Sequence, residues 1–74
     1  MKLSEFHRAI RQEFGAAYGR VLTRELVIPA LGDRTADAAL AAGSTPRQVW
    51  LALCAATEVP IERRHGAGLP DPRH

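Results

Sequence analysis

Apolar side chains recur at helical spacing through most of the chain. One face repeats at intervals of three and four residues: Leu3, Phe6, Ile10 and Phe14. A second face repeats every four residues: Tyr18, Leu22 and Leu26. Both spacings are those of an amphipathic helix. We therefore predict two helices divided by Gly15, which ends or bends the first one, and we expect Pro29 to end the second.

Residues 35–56 predict two further helices joined by a short turn. Thr35 can cap a short third helix that ends at Gly43. In the segment 45–48, a threonine, a proline and a glutamine fit a capping box with proline at the first helical position. The helix that starts there is apolar on every side from 49 to 56, which is typical of a helix at the centre of a domain.

The fold class is therefore predicted to be all-α: a small compact bundle of three to four short helices in one domain, residues 1–61. Residues 62–74 contain two glycines, two prolines and one large apolar residue, Leu69. Because burial of this segment would not offset the entropy lost on ordering it, we predict a disordered, flexible C-terminal tail. Nine residues are predicted to form the core or to anchor an interface: Phe6, Ile10, Phe14, Tyr18, Leu22, Leu40, Val49, Trp50 and Leu53.

The charge of the chain is only mildly basic. Ten lysines and arginines stand against eight aspartates and glutamates, which gives a net charge of +2. Five arginines are candidate contacts to a partner or to phosphate: Arg8, Arg11, Arg20, Arg24 and Arg47. Glu5, Glu13 and Glu25 lie among them, so the sequence favours a solvated face with local ion pairs, and a phosphate-binding patch is the alternative interpretation.

Residues 35–56 also have the spacing of a helix-turn-helix. Ala39, Gly43 and Val49 match the small inward residue, the turn glycine and the inward residue of the second helix. Reading a major groove requires polar side chains on the second helix. After Arg47 and Gln48 this helix presents only apolar residues. The pattern therefore favours helix packing over direct reading of DNA.

Sequence patterns of catalysis and metal binding are absent. The sequence has no glycine-rich phosphate loop and no nucleophile elbow, and Cys54 and the three histidines lack the spacing of a zinc site. We therefore predict that the chain is not an enzyme and has no cofactor or metal site. The single cysteine and the lack of a long apolar run predict a cytoplasmic protein that does not bind a membrane.

Five stretches carry a resemblance to a known family. MKLSEF begins the chain, and FGAAYGR, LGDRTADAALAAG, PRQVWLALCAA and VP follow in order up to residue 60. Together they resemble the actinobacterial domain of unknown function 3046, over about residues 1–62. The resemblance implies a small cytoplasmic helical protein from high-GC Gram-positive bacteria and supplies no activity, cofactor or catalytic residue. Some members resemble products of genes near those of the recombinase RecA and its regulator RecX.

Two functions agree with this sequence. The first is a non-catalytic protein–protein interaction or regulatory accessory module, either a monomer or a small homo-oligomer, whose partner is another protein. The alternative is a weak, largely non-sequence-specific nucleic-acid binder that assists DNA repair or recombination. The arginines on the first two helices and the helix-turn-helix-like spacing motivate this alternative.

Overall fold

The computed structural model describes residues 1–64 of the chain. Within them lie four α-helices: α1 (Leu3–Phe14), α2 (Ala16–Glu25), α3 (Ala36–Ala41) and α4 (Pro46–Ala56). Two short 3-10 turns, Pro29–Leu31 and Ile61–Arg63, follow α2 and α4. Helix α1 packs against α2 and α4, and α3 also packs against α2 and α4. The predicted all-α bundle is confirmed.

A single glycine joins α1 to α2, and a second glycine lets the two helices touch. Gly15 has a φ of 85°, a backbone conformation that favours glycine, and its N–H donates to the carbonyl of Arg11 at 2.9 Å. Further along α2, a Cβ on Gly19 would lie 2.5 Å from Cγ2 of Ile10. The missing side chain of Gly19 therefore sets how closely α2 approaches α1.

Side-chain caps fix the start of α3 and α4. The hydroxyl of Thr35 accepts a hydrogen bond from the N–H of Ala38 at 3.1 Å. Thr45 and Gln48 form the predicted capping box: the Thr45 hydroxyl accepts from the Gln48 N–H at 3.1 Å, and the Gln48 amide oxygen accepts from the Thr45 N–H at 2.9 Å. Gly43 lies in the turn between the two helices with a φ of 105°. These local contacts confirm the start that the sequence predicts for α4.

The core is centred on Trp50, which is 1 % exposed. Six of the nine residues predicted as core or anchor are buried: Phe6, Ile10, Leu22, Val49, Trp50 and Leu53. Phe14 and Leu40 are partly buried and pack against this core. Six more residues complete the core, and they are not part of the apolar repeats of the first two helices: Ala9, Ile28, Ala36, Ala39, Cys54 and Val59.

Tyr18 departs from the core prediction, because its side chain is 58 % exposed. Spacing of four residues groups it correctly with Leu22 on one side of a helix, but it is Gly19 that packs directly against Ile10 of α1. One residue corresponds to about 100° around a helix. Tyr18 therefore points to the side of this contact, whereas Leu22 turns into the core.

Helix α4 is buried on one side and exposed on the other, so the prediction that it is surrounded by protein holds only in part. Its exposed side includes Leu51, which is 38 % exposed, and Ala55. The helix lies at the edge of a four-helix bundle that is too small to enclose it.

The segment after α4 returns to the bundle. We call residues 59–64 the C-terminal clasp. Val59 is buried, the guanidinium of Arg63 makes a two-pronged contact with the carboxylate of Glu13 at 3.0–3.2 Å, and the carbonyl of Arg64 accepts a hydrogen bond from the Trp50 indole. The clasp thus includes the first residues of the predicted tail, 62–64. The rest of that segment, 65–74, lies outside the described residues.

Candidate functional site

The five candidate arginines are all exposed, and the structure brings two of them together. Arg11 on α1 and Arg20 on α2 line one cleft between the two helices. Arg8 lies one turn before Arg11, and Arg24 lies one turn after Arg20. Arg47 is on α4, which contributes no residue to this cleft. The predicted set therefore divides into a group on α1 and α2 and one separate arginine.

The cleft, which we call the α1–α2 cleft, has a volume of about 290 Å³. It is lined by eight residues: His7, Ile10, Arg11, Ala16, Gly19, Arg20, Thr23 and Asp37. Gly19 lies where α2 touches α1, and Asp37 comes from the first turn of α3. Three helices thus contribute to the cleft.

Neither arginine in the cleft has a carboxylate partner within the part of the chain that the structure describes. Among residues 1–64, the ion pair within 4.0 Å is the one between Arg63 and Glu13, in the C-terminal clasp. The guanidinium groups of Arg11 and Arg20 are therefore available to an anionic ligand. The hydroxyl of Thr23 is less available to a ligand, because it already donates a hydrogen bond to the carbonyl of Arg20 at 3.2 Å.

The outer face of α2 carries exposed apolar side chains. Tyr18 is 58 % exposed and Val21, one turn later, is 43 % exposed. The ring of Tyr18 contacts the ring of Phe14 edge to face, with centroids 6.4 Å apart. We call these three residues the apolar ridge. Arg24 lies one turn beyond Val21, so the ridge ends beside a positive charge.

The helix-turn-helix segment offers few groups that could read bases. On the exposed side of α4, Leu51 and Ala55 follow Gln48 at helical spacing. The amide oxygen of Gln48 is already occupied by the N–H of Thr45. Arg47 is the charged side chain of this helix. The geometry therefore supports packing between α3 and α4 more than contact with base edges.

Five of the eight residues that line the cleft were not among the predicted site residues: His7, Ala16, Gly19, Thr23 and Asp37. Tyr18 was predicted as a core residue or an interface anchor. His7, Thr23 and Asp37 belong to no recognised motif, and only the fold places them together. A usable signal was the pair of small residues Ala16 and Gly19 at a spacing of three, which permits close approach of two helices.

The thiol of Cys54 is buried among core residues. Burial raises its pKa from 9.0 to about 12, and the nearby positive charge of Arg64 opposes this shift only in part. A protonated, enclosed thiol is a poor nucleophile. Within residues 1–64 no three histidine, cysteine, aspartate or glutamate side chains cluster in a way that could hold a metal ion.

The described residues thus define a small four-helix domain with a charged cleft between α1 and α2 and an apolar ridge on the opposite flank of α2. Residues 1–62 match the model of a family described as a protein of unknown function, DUF3046. The chain belongs to this family. The chain matches none of the curated proteins and none of the solved structures. None of the helices in residues 1–64 is long and apolar enough to cross a membrane.

Proposed function

We propose that this chain is a non-catalytic protein-binding module and that the outer face of α2 is its binding surface. The observation that carries the proposal is the exposure of Tyr18 and Val21 in a chain whose other large aromatic side chains are buried or half-buried. Tyrosine is enriched in the energetic centres of interfaces, because its ring buries a large area and its hydroxyl forms hydrogen bonds. Contact with Phe14 holds the Tyr18 ring before a partner arrives.

The partner that fits this surface is a protein segment with apolar side chains next to acidic ones. Apolar side chains would cover Tyr18 and Val21. Arg24 lies one turn beyond Val21, is exposed and has no carboxylate within ion-pairing distance among residues 1–64. An acidic residue on the partner would complement this charge and favour the correct register. We propose a cytoplasmic location, in which the Cys54 thiol stays reduced.

Photo-crosslinking in the native host tests this surface. A photoreactive phenylalanine analogue at Tyr18 or Val21 should give one main crosslinked species, and the same analogue at exposed Ala41 on α3 is the matched control. Arg24→Glu should reduce the Tyr18 crosslink, because it reverses the charge beside the ridge. Equal crosslinking from positions 18 and 41, or none from position 18, would contradict the proposal.

Nucleic-acid binding is a second candidate, supported by four exposed arginines on α1 and α2: Arg8, Arg11, Arg20 and Arg24. Binding through phosphates falls steeply with salt. Fluorescence anisotropy with a labelled DNA duplex should then show binding at about 50 mM salt that is lost by about 200 mM. Arg47→Gln is the control that should leave it unchanged. No binding at the lower salt concentration would exclude this function.

A further inference from the structure

We infer that the α1–α2 cleft binds a single carboxylate group and that an acidic side chain of the partner protein supplies it. This inference rests on the proposed function and adds a second contact to it, on the opposite flank of α2 from the apolar ridge. Arg11 and Arg20 approach the cleft from different helices. The close contact between Gly19 and Ile10 fixes the spacing of those helices, so the backbone positions that carry the two arginines are set before a ligand binds.

The charges in the cleft favour a monoanion. Two arginines and one aspartate give the lining a formal charge of +1 when His7 is neutral. A phosphate dianion would bring two negative charges next to Asp37, whereas a carboxylate leaves the site neutral. The planar guanidinium group also matches the geometry of a carboxylate, which accepts two parallel hydrogen bonds.

The position of Asp37 adds a reason to expect a peptide ligand. A carboxylate side chain belongs to a backbone whose N–H groups are hydrogen-bond donors, and Asp37 can accept from one of them. Ile10, Ala16 and Gly19 provide apolar surface for the methylene groups of an aspartate or glutamate. A cleft of about 290 Å³ lies at the small end of ligand sites, which suits one side chain better than a nucleotide.

Nuclear magnetic resonance on the ¹⁵N-labelled full chain tests the site with defined probes. Blocked glutamate (N-acetyl-glutamate N-methylamide) should shift the amide signals of Gly19, Arg20 and Thr23 in a saturable way. We expect a dissociation constant on the order of 1 mM, since two charge-assisted hydrogen bonds act at an exposed site. Blocked glutamine, which has the same shape without the charge, should not saturate, and inorganic phosphate should bind more weakly.

Substitutions identify the residues that bind the probe. Arg11→Gln and Arg20→Gln should each weaken binding of blocked glutamate by about tenfold or more, the loss of one charge-assisted hydrogen bond. Arg47→Gln is the matched control, because Arg47 is exposed and outside the cleft, and it should leave binding unchanged. A dispersed amide spectrum for each variant shows that it is folded.

The results separate this inference from the proposed function. Tighter binding of phosphate than of blocked glutamate would overturn the carboxylate assignment and favour the nucleic-acid alternative. Absence of saturable shifts with blocked glutamate, while the Tyr18 crosslink persists, would overturn the cleft inference and leave the protein-binding surface intact. Saturable binding that requires Arg11 and Arg20, without a specific Tyr18 crosslink, would support the carboxylate site and contradict the assignment of the ridge.

Discussion

The indole N–H of Trp50 donates a hydrogen bond to the backbone carbonyl of Arg64, 2.5 Å away and fourteen residues later in the chain. Arg64 is held there by its own side chain, whose Nε donates to the carbonyl of Val59 at 2.6 Å. Trp50 is buried, so its indole N–H needs a partner. The C-terminal clasp therefore completes the hydrogen bonding of the core.

Truncation tests this role of the clasp. Ending the chain after Ile61 removes the carbonyl that Trp50 uses, and an unsatisfied buried donor costs about 1–3 kcal/mol. The free energy of unfolding, measured by urea titration, should fall by about this amount. Ending the chain after Arg64 is the control and should leave it nearly unchanged. Equal stability of both truncated chains and the full chain would show that the clasp is dispensable.

The approach of α2 to α1 gives a second prediction. Gly19→Ala would place a methyl group 2.5 Å from Cγ2 of Ile10, and overpacking of this kind costs about 1–3 kcal/mol. In an Ile10→Ala background that clash is absent, and alanine is then favoured over glycine inside a helix by about 1 kcal/mol. Urea unfolding of the four proteins should show this reversal. Equal effects of Gly19→Ala in both backgrounds would contradict the close contact.

These two features mark where sequence reasoning succeeds and where it stops. The capping box of Thr45 and Gln48 is predictable, because its hydrogen bonds join residues three apart. The exposure of Tyr18 is not predictable in this way, because a spacing of four shows that residues share a helical face but not which face meets α1. The contact between Glu13 and Arg63 spans fifty residues, and no local pattern encodes it. The same holds for the α1–α2 cleft, which depends on how three helices meet.

The buried thiol predicts a dependence of stability on alkaline pH. The pKa of Cys54 is about 12 in the folded chain against an ordinary 9.0, so the unfolded chain loses this proton first as pH rises. Stability should therefore be unaffected by this group below pH 9 and should fall between pH 9 and about pH 12. Comparison of unfolding curves for the natural chain and Cys54→Ala isolates the contribution of the thiol. The free energy of unfolding of the variant should fall less steeply as pH rises.

Labelling of Cys54 gives an independent measurement. At pH 8 the thiol is both protonated and buried, so iodoacetamide should modify the folded chain far more slowly than the chain unfolded in urea. Mass spectrometry follows the reaction. Equal labelling rates in the two states would show that the core around Cys54 opens readily.

Trp50 and Tyr18, two of the four aromatic residues predicted as core or anchor, should respond differently to truncation of their side chains. Trp50→Ala removes a fully buried side chain, and losses of about 3–5 kcal/mol are typical, which is most of the stability of a small domain. Circular dichroism should show a largely unfolded chain. Tyr18→Ala removes an exposed side chain, so its unfolding midpoint should stay close to that of the natural chain. Tyr18→Ala should nevertheless weaken crosslinking from position 21, because the ring of Tyr18 belongs to the proposed binding surface. A Tyr18→Ala variant that unfolds as readily as Trp50→Ala would place Tyr18 in the structural core and remove the basis for the apolar ridge.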